Sequence, residues 1–201
     1  MSESPLRTRC HAIVLAGGAS RRMGTRKERL DLNGEPNLLR LCRLLHGMAD
    51  RVTVVTDARE TYSFLPEDIA VVRDRVPDRG PVGGICTGMG VSDAPLQLVA
   101  GCDYPLVSEQ AWFRLLRQLE ANPNADAVVP VAFGKEHPLC AVYRARTLPL
   151  WEAALAAGEL RVRRTVDRMS TVFRRMEDEE EAEYVNMNEP EDYAAVKERL
   201  S

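Results

Sequence analysis

"HAIVLAGGASRRMGTRKERLDLNG", residues 11–34, decides how the chain folds. A short apolar run ends at Gly17 and Gly18, and Arg21, Arg22, Arg26 and Lys27 then follow within residues 20–27. In an open α/β sheet such a strand-to-glycine passage is where ligands bind. Glycine lets the backbone approach closely, and unpaired N–H groups at the rim attract anions. The spacing is neither GxxxxGK[ST] nor GxGxxG, so it is not a Walker loop or a dinucleotide fingerprint. Several cations beside a glycine turn point to a polyphosphate. The competing explanation is a tight turn with a solvated basic face.

Outward from this stretch the chain alternates. β-rich runs at "HAIVLA", "RVTVVT", "IAVVRD", "LQLVAG" and "ADAVVPV" are separated by segments with helical spacing of apolar residues. That order predicts an α/β fold, a mostly parallel sheet with helices on both faces. Leu38, Leu41, Leu45 and Met48 repeat at three- and four-residue steps after Pro36 and predict a first helix with a buried stripe. Ser108 is a good N-cap for a helix through "EQAWFRLLRQLEA", which "NPNAD" ends. Residues 148–155 and 161–169 have helical patterns. A last helix is signalled by "NEPEDYAAVKERL", with Asn188 as cap, Glu191 in the capping-box place and Pro190 in the first turn. No repeat or linker divides the chain, so residues 1–201 are expected to form one domain, with residues 1–10 flexible.

Composition narrows the function. The chain has 201 residues, and Lys+Arg 27 against Asp+Glu 30 gives a net charge of -3. No global basic field exists to hold a nucleic-acid polymer or an anionic membrane, so positive charge must act locally. No apolar stretch nears the roughly 20 residues that span a bilayer, and "MSESPLRTRC" lacks the apolar centre of a signal peptide; a cytoplasmic protein is expected. Cys10, Cys42, Cys86, Cys102 and Cys140 are odd in number and scattered, which predicts reduced thiols and neither a zinc site nor a disulfide framework.

Two aspartates share the expected crevice. Asp103 in "LVAGCDYP" closes an apolar run and should stand at the carboxyl edge of a central strand. Mg²⁺ is typically held by one or two carboxylates together with substrate phosphates. A turn before Pro105 is the alternative use of that aspartate. Asp74, in "VVRDRVPDRGPVGGICTGM", also follows a β-rich run, and the glycines after it either bring backbone against a ring or phosphate or make a turn.

"LAGGASRRMGTRK", "RDRVPDRGPVGGICTGM", "CDYP", "HPLCAVY" and "VNMNEPEDY", in this order and at these separations, resemble the molybdenum cofactor guanylyltransferase family. That family lies within the nucleotidyltransferases with an LAGGxSxRMG loop. The similarity runs from about residue 11 to the C-terminus; the first motif indicates only the larger group, and the later ones narrow it. It implies a Rossmann-like three-layer sandwich and transfer of GMP from GTP to molybdopterin cofactor, with Mg²⁺ and release of pyrophosphate. It further implies Asp103 at the metal, and Lys27 and Arg22 at the triphosphate and the growing charge on pyrophosphate. Leu15, Ala16, Gly17, Gly18, Thr56 and Asp74 would hold the nucleotide, and Asn186 and Asn188 the acceptor. Partner molybdoenzymes or cofactor-biosynthesis proteins are implied as well.

Other residues have weaker assignments. Arg161, Arg163 and Arg164 are either a forked receptor for the acceptor's phosphate or a solvated helix face. His137 reads as positional, since a phosphate nucleophile is already ionised near neutral pH and needs no base. "EDEEEAE" reads as an exposed edge, and Trp112 and Trp151 as core or interface. Arg26 stands where the family loop has an aspartate, and Asn37 interrupts a usual GxPLL, which bears on substrate identity more than on reaction class. Cytidylyl- and sugar-phosphate nucleotidyltransferases, a non-catalytic cofactor-binding adaptor, and a dinucleotide-dependent oxidoreductase are the rivals.

Overall fold

A computed structural model describes residues 10–17, 26–56 and 62–200. β1 (Cys10–Leu15), β4 (Arg51–Thr56), β5 (Ala70–Arg73), β6 (Leu96–Gly101), β7 (Ala127–Ala132), β9 (Cys140–Arg144) and β10 (Thr171–Arg175) form the main sheet. Their order across it is β10-β7-β9-β6-β1-β4-β5, with the short β8 (Lys135–Glu136) on β7. β1 pairs in parallel with both β4 and β6. β9 runs antiparallel to β6 and β7. A two-residue hairpin, β2 (Asp31–Leu32) and β3 (Glu35–Pro36), stands apart.

Helices cover both faces, as the alternation predicts. Successive strand side chains point to opposite faces. Ala12, Val14, Val52, Val54 and Leu98 meet α1 (Asn37–His46) and α3 (Glu109–Ala121) on one side. Ile13, Val55 and Val99 meet α2 (Gly80–Met89), α4 (Leu148–Ala156) and α5 (Val162–Val166) on the other. Burial on both faces is why these strands read as near-continuous apolar runs. Trp112 and Trp151 are fully buried, one in each layer. An indole hides about 200 Å², so at about 25 cal/mol per Å² each contributes on the order of 5 kcal/mol before entropy is counted.

Polar groups inside the sheet are satisfied in a fixed direction. Gln97 donates through Nε2 to the Ala94 carbonyl at 2.6 Å, so its Oε1 faces His11 and accepts from Nδ1 at 2.8 Å. His11 Nε2 then accepts from the Thr53 hydroxyl at 2.8 Å. Burial lowers the His11 pKa, and the ring stays neutral across three central strands.

Element boundaries confirm most of the sequence reading and correct some of it. Ser108 caps α3, its hydroxyl accepting from the Ala111 N–H at 3.1 Å. α5 is shorter than the predicted 161–169 span. Cys10 is already in β1, so flexibility does not reach residue 10; residues 1–9 lie outside the described residues. The segment "EDEEEAE" forms α6 (Asp178–Glu181) and a following turn, and two of its carboxylates are paired: Glu180 with Arg174 and Arg114, Glu183 with Arg114 and Ser108. All five cysteines are buried, and none is in a disulfide.

The last helix, α7 (Pro190–Leu200), is capped differently from the prediction. Asp192 Oδ2 accepts from the N–H groups of Asn188 and Glu189, both at 2.8 Å, so the returning carboxylate is one residue later than expected. The Asn188 side chain is left for other work.

Gly80 opens α2 with a positive φ of 57°, and Gly83, Gly84 and Gly88 lie inside the helix, where low intrinsic propensity is outweighed at Gly84 and Gly88 by close packing on β1. A Cβ at Gly84 would stand 2.9 Å from Leu15 Cδ2, and one at Gly88 would overlap Ile13 Cγ2. That Ile methyl sits on a β-branched carbon and cannot swing away. Gly88→Ala should therefore lower stability by about 1–3 kcal/mol in chemical denaturation. An unchanged midpoint would show that α2 has slack over the sheet.

Candidate functional site

The sheet changes direction between β1 and β6. The chain goes from β1 to β4 on one side, and from β6 to β7 and β9 on the other. Ligand crevices of open α/β sheets form at such a point, outside the carboxyl ends of the strands. Leu15 and Gly17 leave β1 there, beside Gly101, Cys102 and Asp103 leaving β6, and all line one cavity of about 280 Å³. Lys27, Glu28, Thr56, Asp74 and Leu139 complete the part that bears on chemistry.

Each side chain is placed by its element. Asp103 follows β6 because the strand ends at Gly101, whose N–H donates to Leu139 O at 2.7 Å. The Asp103 carbonyl accepts from the Met187 N–H at 2.9 Å, which brings the C-terminal segment to the crevice. Burial raises the Asp103 pKa, and Lys27 is the charge that most opposes the rise. Lys27 begins a single 3-10 turn and donates through Nζ to Asn188 Oδ1 at 2.5 Å. A residue assigned to the phosphates and one assigned to the acceptor are thus in direct contact.

The other predicted residues divide. Leu15, Gly17, Lys27, Thr56, Asp74 and Asp103 share the cavity. Thr56 is buried, with its hydroxyl 3.4 Å from the Tyr62 hydroxyl. Asp74 Oδ1 takes the Thr87 hydroxyl at 2.8 Å and the Val76 N–H at 3.2 Å. A Cβ on Gly83 would stand 2.7 Å from Asp74 Oδ2, so glycine there leaves that oxygen room. Ala16 is instead in the core, its N–H bound to Val55 O at 2.8 Å. Gly18 and Arg22 lie outside the described residues. Among the arginines of α5, Arg163 is paired with Glu136 and Asp167, and Arg164 with Glu159. Local carboxylates already occupy those two guanidinium groups.

Two participants have roles that sequence reasoning does not give, although Asn37 stands out as an interruption of GxPLL. Asn37, buried at the start of α1, donates through Nδ2 to Cys102 O at 2.7 Å and Lys27 O at 3.3 Å. It pins the lysine-bearing turn to the corner that carries Asp103. Its only signal was a polar residue inside an apolar helix start. Glu28 is buried against the cavity, receiving Arg26 Nη1 at 3.1 Å and the Tyr62 hydroxyl at 3.4 Å. No sequence signal separated it from a surface glutamate.

The donor set suits one hard cation shared with phosphates. Among the described residues no three His, Cys, Asp or Glu side chains cluster as a protein-only cage. Asp103 lines the cavity with Glu28 and Asp74, and one or two such carboxylates beside phosphates match the way Mg²⁺ is carried on nucleotides.

Fold and site together define a nucleotide-binding α/β protein with its chemistry at the sheet's switch point. The family described as the MobA-like NTP transferase domain matches residues 12–173, and the chain belongs to that family. It is a nucleotidyltransferase. A protein of Chloroflexus aggregans named probable molybdenum cofactor guanylyltransferase is 33% identical over 204 residues, covering 96% of this chain and 95% of its own. The molybdenum cofactor guanylyltransferase of Pseudomonas putida is 34% identical, covering 75% and 78%. The crystal structure of molybdopterin-guanine dinucleotide biosynthesis protein A from Archaeoglobus fulgidus superposes with a TM-score of 0.79, at 21% identity and 94% and 97% coverage. That likeness fixes the fold, the expected Rossmann-like sandwich. No described helix is long and apolar enough to cross a membrane.

The Asp103 carboxyl has a measurable cost. Its folded pKa is raised above the unfolded value of about 3.9, so its neutral form is favoured on folding and stability is lost as pH climbs from there toward the folded pKa. Asp103→Asn should raise the melting temperature of the ligand-free protein at pH 7–8 by a few degrees. The gain should shrink to nothing as pH falls to about 4. A lower melting temperature at pH 8 would mean the carboxylate is solvated or firmly paired.

Proposed function

We propose that the protein transfers GMP from GTP to molybdopterin cofactor, giving the guanine dinucleotide form and pyrophosphate. The observation that supports this is the convergence of Lys27, held by Asn188, and Asp103 on one crevice at the β1–β6 switch point, in a chain whose relatives carry that name. Nucleotidyl transfer brings an anionic phosphate against an α-phosphorus already surrounded by negative oxygens. Positioning and neutralisation are most of the catalysis.

The residues divide that work. Leu15 and Gly17 bring the β1 rim against the nucleotide, while Asp74, held by Thr87, presents its second oxygen toward the guanosine. Thr56 supports the same wall. Lys27 and Arg22 meet the triphosphate and offset the charge that grows on departing pyrophosphate. Asp103 is the residue that would hold Mg²⁺, which supplies charge neutralisation and alignment of the phosphate oxygens. Asn186 and Asn188 face the acceptor, and the Lys27–Asn188 bond sets the distance between donor and acceptor halves. No general base is required, because the acceptor phosphate is ionised near neutral pH.

The decisive assay offers purified protein each nucleoside triphosphate with molybdopterin cofactor and follows pyrophosphate. GTP should be used well above CTP, ATP and UTP. Faster turnover with CTP would make it a cytidylyltransferase, and GTP binding without pyrophosphate would make it an adaptor. Lys27→Ala should cut kcat/KM for GTP by roughly 10²–10³ and weaken GTP binding with it. Unchanged GTP affinity would take the lysine off the phosphates.

A further inference from the structure

On the nucleotide side one hydroxyl fixes how a carboxylate is presented. Thr87, buried inside α2, accepts from the Arg75 N–H at 3.0 Å, so its single hydroxyl proton goes to Asp74 Oδ1 at 2.8 Å. The Val76 N–H reaches the same oxygen at 3.2 Å. Among the described residues, Oδ1 alone of the two oxygens takes a protein donor. Thr87 and Gly83 lie one turn apart on the same face of α2, and a Cβ on Gly83 would stand 2.7 Å from Oδ2 but 3.3 Å from Oδ1. Oδ2 is therefore the oxygen nearer the start of the helix, where Gly80, Pro81 and Gly84 line the cavity together with Asp74.

We infer that Thr87 is a positioning residue that turns Asp74 so that one oxygen, Oδ2, takes a hydroxyl of the nucleotide's sugar, making this position read ribose and leaving the base to other groups. The inference rests on the proposed placement of Asp74 at the guanosine. Guanine offers N1–H and its amino group side by side, and a carboxylate meets such a pair of donors with both oxygens. With Oδ1 already filled, Asp74 is matched to a lone donor, and a sugar hydroxyl is one. The Asp74 main chain is tied as well, its N–H donating to Thr56 O at 2.9 Å, so the residue is held both at its backbone and at its inner oxygen.

The test uses full-length protein and measures binding of GTP, ATP, 2′-deoxy-GTP and 3′-deoxy-GTP by calorimetry, with pyrophosphate release on molybdopterin scored separately. The wild type should bind at least one deoxy form about tenfold or more weakly than GTP, the size of a hydrogen bond to a carboxylate. Thr87→Val keeps the shape of the side chain and deletes the hydroxyl. It should weaken GTP binding about tenfold and bring GTP and that deoxy form within about threefold of each other, with the GTP-to-ATP ratio within about threefold of the wild type. Thr87→Ser should restore most of the preference for ribose. A structural loss alone would weaken GTP and its deoxy forms alike, leave their ratio unchanged and overturn the inference. Melting temperatures check folding, and Asp74→Ala, which should erase the same preference, stands if Thr87→Val does not fold. A ribose preference that survives Thr87→Val but not Asp74→Ala would overturn the positioning role and leave Asp74 at the nucleotide. Equal binding of GTP and both deoxy forms by the wild type, or loss of the GTP-to-ATP ratio in Asp74→Ala, would overturn the sugar assignment, and pyrophosphate release from GTP would keep the proposed transfer standing. A ribose preference set by Thr87 in a protein that releases no pyrophosphate would support the inference and end the transfer reading.

Discussion

A half-buried carboxylate at the end of a central strand governs the site. Asp103 stands where β6 ends between β1 and β9, and desolvation there disfavours its charge. Lys27 offsets that from across the crevice, and Asn188 holds the ammonium in turn. The arrangement sets a negative and a positive group on the lining of one crevice, where fixed charges can act on a reaction. It also explains why the C-terminal segment is tied so firmly. Met187 bonds to the Asp103 backbone, and the Tyr193 hydroxyl of α7 reaches the Asp31 carbonyl at 2.7 Å, beside the hairpin that follows Lys27.

The departure at Arg26 has a local counterpart. The loop resembles one that places an aspartate before the lysine, and here that place is cationic. Glu28, one residue beyond the lysine, is buried and receives Arg26 and Tyr62. Negative charge next to Lys27 is thus present on the opposite side of it. The pair is unequal in exposure, with the Arg26 side chain 39% accessible and that of Glu28 5%. Such a pair adds little as a surface bridge, but loss of the arginine would weaken the compensation of a buried carboxylate. The Arg26–Glu28 pair therefore leaves the cationic excess of Arg21, Arg22 and Lys27 in the stretch unchanged.

What the sequence revealed follows from which forces are local. β1, β4 and β6 were legible as apolar runs because both faces of each are covered. Asp103 was legible because an aspartate ending such a run has only the strand's rim to occupy. β9 was hidden behind the turn at His137–Pro138, and β10, an edge strand with Arg174 and Arg175, does not read as apolar. α2 was missed because glycine speaks against a helix locally, while the demand for close packing on Ile13 is tertiary. The roles of Asn37, Glu28 and Asn188 depend on partners far away in sequence. Asn37 meets Cys102 across 65 residues, and Lys27 meets Asn188 across 161. No local pattern encodes contacts of that kind.

The crevice is assembled from two stretches of the chain. Most of its lining, from Leu15 to Asp103, lies in the first part, where the parallel strands converge on the switch point. Leu139 of "HPLCAVY" joins that lining just before the antiparallel β9, and Asn188 reaches Lys27 from the segment before α7. Lys27 and the Asp103 corner are each held from both stretches: Asn37 donates to Lys27 O and Cys102 O, Asn188 accepts from the Lys27 ammonium, and the Met187 N–H donates to Asp103 O. A reaction that needs its two phosphates held in line is served by that double anchoring, since a shift of either half would move the charges relative to the phosphorus.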